Sequence, residues 1–184
     1  MRRLTVSGMI GLAMLLAAPP QVQAAEGLSC VTGAVESKLN DEIFKAYRAE
    51  KDLGEALMAK VGDKIAACAA ANDWSVEALE SGIRVLFGQI LARGVLAELT
   101  AFPVDAAALQ ASTDKYLSTL APDTLRQFAD GELGDEQGHD IVKQLIGDEV
   151  VRLSQIDEKL GGLIGEYAAA RANETFFTSE FARQ

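Results

Sequence analysis

Val76–Leu99, VEALESGIRVLFGQILARGVLAEL, is the stretch that decides the fold. Val76, Leu79, Ile83, Leu86, Phe87, Ile90, Val95 and Leu99 cover most of the circumference of a helix over about 76–100. A helix that is apolar nearly all round is a buried one. Ile83–Leu99 is the most apolar part, yet it carries Arg84, Gln89, Arg93 and Glu98. A membrane-spanning helix needs about 20 nearly uncharged residues. This one therefore reads as the central helix of a soluble bundle. Gly88 and Ala92 lie four apart on one stripe, where a second helix backbone can approach closely. Ser75 is a good N-cap, and Phe102-Pro103 ends the run.

Reading outward, every other segment is also helical in period. A first helix covers about 34–50, with Val35, Leu39, Ile43, Phe44 and Tyr47 on one face. A second runs about 53–71 through Leu53, Leu57, Val61, Ile65 and Cys68. Asn72-Asp73-Trp74 is a connector, with Trp74 expected to pack on the bundle end. A fourth helix starts on Asp105 and uses Leu109, Tyr116, Leu117 and Leu120. A short fifth begins at Pro122, a first-turn proline, and stops at Gly131. The last and longest run, 136–172, repeats Val142, Ile146, Val150, Leu153, Ile156, Leu160, Leu163 and Tyr167. Gly161-Gly162 is the expected place for a kink or split. Its length also allows pairing with a second copy, a homodimer through the last helix. A Phe-rich tail follows at 173–184. No segment alternates with a period of two, so the fold class is all-α: a bundle of five to six helices.

The first 24 residues have a different grammar. Arg2 and Arg3 precede an apolar run, Met9–Ala18, and Val22-Gln23-Ala24 offers small or modest residues before a cut. That is the pattern of a cleaved export signal. It predicts a periplasmic or secreted protein, with 25–184 as a single helical domain. The Gly27-Leu28-Ser29-Cys30 segment resembles a lipoprotein cleavage site only weakly, since Gly27 stands where Leu is wanted.

Export makes the two cysteines meaningful, because disulfides persist outside the cytoplasm. Cys30 precedes the first helix and Cys68 lies in the last turn of the second. Those helices measure about 25 Å and about 28 Å at ~1.5 Å per residue. An antiparallel hairpin would bring both cysteines to one end. The bridge would close 38 residues, worth about 4 kcal/mol by loop entropy.

Charge narrows the partners. The chain has 17 basic and 27 acidic residues, so losing Arg2 and Arg3 takes its formal charge from −10 to −12. Nucleic acid and anionic membrane surfaces are disfavoured. Few residues invite chemistry. His139 is the lone histidine; Glu136 three residues before it is half of a di-iron spacing whose other half needs a second histidine. No Gly-x-Ser-x-Gly elbow or Cys-x-x-Cys is present. Glu80-Ser81 is similar to the Glu-Ser pair of lysozyme-like lytic transglycosylases. Their Gly-Leu-Met-Gln type segment is missing, and Glu80 four residues before Arg84 suggests an ion pair. No catalytic residue, metal or cofactor is therefore expected.

Arg84 and Arg93, set in an apolar helix nine residues apart, are candidates for holding an anionic ligand or a carboxylate. Phe177 and Phe181, four apart, would share a helical face, either capping the bundle or docking a partner. The expected function is non-enzymatic: binding a protein or a small ligand in the cell envelope. An acid- or stress-responsive chaperone and an enzyme with an unfamiliar site are the alternatives.

Overall fold

In the computed structural model, residues 27–50, 52–132 and 134–184 are described, and all regular structure among them is helical. The expected export segment, 1–24, lies outside the described residues. Residues 27–32 are helical. Then follow α1 (Ser37–Glu50), α2 (Leu53–Ala71), α3 (Val76–Leu99), α4 (Ala106–Leu117), α5 (Pro122–Ala129), α6 (Asp135–Gly147), a 3-10 turn (Leu153–Gln155) and α7 (Glu158–Phe181).

Short polar side chains start four of these helices. Asp52, Ser75, Asp105 and Asp157 each accept a hydrogen bond from the backbone N–H three residues on, at 2.8, 3.1, 2.7 and 2.8 Å. Each satisfies a donor that the first helical turn would otherwise leave unpaired. Asp157 is the cap that the reading of one long last helix left out.

The framework is the antiparallel pair α3 and α7. Gly82 faces Phe181, Gln89 bonds Glu174, and Gly88 sits against Ala170 and Glu174. A Cβ on Gly88 would come within 2.7 Å of both the Ala170 carbonyl oxygen and the Glu174 backbone nitrogen. The two backbones therefore touch where the sequence has its small-residue stripe. Phe44 of α1 lies over Gly94, covering the C-terminal half of α3. Asn173 of α7, buried, donates to the Ala129 carbonyl at the end of α5 at 3.0 Å. Leu86, Ile90, Val95 and Leu99 of α3 meet Leu160, Ile164 and Tyr167 of α7 in one buried core that also takes Leu109, Phe128, Ile141 and Leu145.

The α1–α2 hairpin closes as expected. Cys30 and Cys68 form a disulfide with their Cα atoms 5.8 Å apart. Cys30 is exposed and Cys68 buried.

Two expectations need correction. The run 136–172 is not one helix. It divides at 148–157, not at Gly161-Gly162, so seven α-helices follow Ser37 among the described residues. The stop is a Schellman turn. Val150 N–H bonds the Leu145 carbonyl (2.9 Å) and Glu149 N–H bonds that of Ile146 (3.1 Å). Glu149 takes the left-handed position at φ 59°, and Val150 folds into the core. The second correction is the tail. Residues 173–181 continue α7 as its last turns. The apolar residues read as a possible dimer seam, Leu160, Leu163 and Tyr167, are buried within the chain.

Candidate functional site

Two places combine unusual residues with access to solvent. The first is the N-terminal half of α3. α1 covers Gly94 and Gly54 at the start of α2 lies against Phe87, but Val76, Leu79, Ile83 and Phe87 keep part of their surface open to solvent. These four, with Glu80 and Arg84, line a shallow hollow of about 200 Å³. Val76 is 76% exposed, and Leu79, Ile83 and Phe87 are half-buried. They lie on one face because the intervals of three, four and four follow the helix repeat. Glu77 and Glu80 are exposed beside them.

Arg84 does not pair with Glu80. Its guanidinium stacks over the Phe177 ring of α7, 5.4 Å from the centroid. Cation–π contact lets the stem pack while the charge stays near solvent. Phe181 goes the other way, into the bundle. It is buried and meets Trp74 edge to face at 4.9 Å. A Cβ on Gly27 would approach the Trp74 indole nitrogen to 3.1 Å. Trp74 thus joins the first described residues to the end of α7, near the disulfide. The two phenylalanines that the sequence paired on one face have separate roles: Phe181 caps, while Phe177 flanks the open face.

The second place is a cavity of about 210 Å³ among α3, α4 and α7. Gln89, Arg93, Gln110, Tyr167, Arg171 and Glu174 supply its polar lining. Arg171 bonds both oxygens of Asp114, each at 3.0 Å, and also Glu174, which takes Gln89 at 3.2 Å. Burial pulls the Arg171 guanidinium down, but Glu174 and Asp114 outweigh it and hold it above its ordinary value. Burial pushes the Tyr167 hydroxyl up to about 12, keeping it protonated. Arg93 is exposed at the rim. Arg84 and Arg93 are therefore not brought together.

Sequence reading missed two further ties. Arg48 of α1 reaches Glu98 of α3 (2.7 Å) and Glu166 of α7 (2.8 Å), with its guanidinium 4.8 Å above Phe44. Asp148 accepts from Lys115 (2.8 Å), Ser112 (2.8 Å) and Gln144 (2.7 Å). Lys115 first, then Gln144 and Ser112, lower its carboxyl to about 2. Apart from Gln144, four positions from Asp148, these partners lie 33 to 118 positions apart and leave no local signal. His139 is exposed on α6. Among the described residues no three His, Cys, Asp or Glu side chains are grouped to hold a metal, and no helix is long and apolar enough to cross a membrane. Compared with known protein families, curated proteins and solved structures, the chain matches none.

Proposed function

We propose that this is a non-enzymatic binding protein of the cell envelope, which docks another protein on the open half of α3. The observation that carries this is the apolar face of Val76, Leu79, Ile83 and Phe87, left partly open to solvent on the most buried helix of the bundle. An apolar patch rimmed by polar groups is the usual form of a protein interaction site. Its rim indicates the partner. Glu77 and Glu80 make no ion pair among the described residues, and the chain carries −10 overall. A second acidic copy would be repelled. The fitting occupant is a partner segment with apolar side chains flanked by lysine or arginine. An envelope location is supported by the Cys30–Cys68 bridge together with the export grammar of residues 1–24.

A photo-crosslinking residue at Ile83, in the native envelope, tests the reading. The adduct should contain a basic amphipathic segment and disappear when Leu79→Glu is added. Adducts identical to those from a probe at Gln110, on α4, would contradict it.

A second reading, the acid-responsive chaperone, draws on three ties anchored by carboxylates: Arg48 with Glu98 and Glu166, Arg171 with Asp114 and Glu174, and Lys115 with Asp148. Protonation would release them. Asp148 at about 2 sets the last release in strong acid. Reversible binding of a hydrophobic dye on acidification would support this reading, and its absence down to pH about 2 would remove it.

A further inference from the structure

We propose that the cavity among α3, α4 and α7 is a binding site for a small carboxylate, held by Arg93 and the Tyr167 hydroxyl. This site is separate from the α3 docking face and does not depend on it. Three observations support it. Tyr167 is 2% exposed, yet it lines the cavity. Its hydroxyl makes no hydrogen bond among the described residues and is not one of the fully buried unpartnered oxygens, so it is free to meet a ligand at the cavity wall. Arg93 makes neither an ion pair nor a hydrogen bond among the described residues, while its neighbour Arg171 is committed to Asp114 and Glu174. Finally, the hollow of about 210 Å³ would hold about seven waters at ~30 Å³ each. That is room for a small organic acid and too little for a drug-sized ligand.

The electrostatics restrict the ligand further. Asp114 and Glu174 together offset Arg171 and Arg93, so the site is close to neutral. A multiply charged anion gains little there. A single carboxylate can face the Arg93 fork while its oxygen accepts from Tyr167. Gln89 and Gln110 line the same wall and can meet a second polar group.

The test is NMR titration of the oxidised protein with acetate, succinate, glutamate and inorganic phosphate. Acetate or glutamate should give saturable shifts at Tyr167, Gln89 and Arg93, and the dianion succinate should bind no more tightly. Arg93→Gln should weaken binding about ten- to a hundredfold, the loss of a charge-assisted pair. Tyr167→Phe should weaken it several-fold while leaving the melting temperature close to that of the parent. Three results would overturn the assignment: no saturable shift with either acetate or glutamate, shifts unaffected by Arg93→Gln, or succinate or phosphate binding more tightly than these two.

Discussion

Glu149, with Asp73, is one of two non-glycine residues among those described that take a left-handed backbone conformation. It closes α6 at φ 59°, a position where a side chain costs about 1 kcal/mol and glycine costs almost nothing. Glu149→Gly should therefore raise stability by about 0.5–1 kcal/mol, read from urea unfolding, while Glu149→Ala gives no such gain. Next to it, Asp148 carries the clearest pH signature. Its carboxyl lies at about 2, against 3.8 for an unperturbed one, through Lys115, Gln144 and Ser112. A depressed carboxylate stabilises fully above the unfolded value and loses that contribution as pH falls through the folded one. Stability should thus decline between pH 3.8 and about 2. Asp148→Asn should be less stable than the parent at neutral pH and show a shallower decline over that window. Equal acid slopes in parent and variant would show that Asp148 is not tied as described.

At the scale of elements, the antiparallel contact of α3 and α7 is the most constrained feature. Gly88→Ala would drive a methyl into the α7 backbone, 2.7 Å from two of its atoms. The expected loss is about 3 kcal/mol, the upper end for overpacking, measured by chemical denaturation. A loss below about 1 kcal/mol would mean the helices lie further apart. Deleting 174–184 removes the last turns of α7 together with the Phe181–Trp74 contact. A lower melting temperature with unchanged oligomeric state is expected. Much of this layer was legible in the sequence. The stripe of Gly88 and Ala92 announced a close approach, Ser75 and Asp105 announced helix starts, and two cysteines at matching helix ends announced a bridge. The split of the last run was less legible. Val150 and Leu153 continue the helical repeat across it, and a glutamate stands where the turn would favour glycine. The last run was also ended too early, at 172: Asn173 is buried within α7, donating to the Ala129 carbonyl.

For the molecule as a whole, the disulfide joins the start of the described chain to the α2 end beside Trp74. Cys30→Ser with Cys68→Ser should lower stability by about 2–4 kcal/mol with helicity retained, because a loop of 38 residues is no longer closed in the unfolded chain. Free thiols in exported protein, detected by alkylation before unfolding, would contradict the bridge. The candidate sites were only half legible from sequence. Arg93 and Phe177 stood out as unusual residues, but Arg93 meets α4 and α7 and Phe177 meets Arg84 of α3, which only the tertiary fold brings near. The partly open face could not be read at all, since Val76, Leu79, Ile83 and Phe87 look like core residues until the position of α1 shows which half of α3 is covered. That face is the centre of the functional account, and hydroxyl-radical footprinting tests it most directly. The protein is labelled once purified and once in its native envelope, with Leu153, 73% exposed, as internal reference. The account predicts that Leu79, Ile83 and Phe87 are oxidised in the purified protein and protected in the envelope, while Leu153 is labelled alike in both. Equal labelling of the α3 face in the two settings would contradict it.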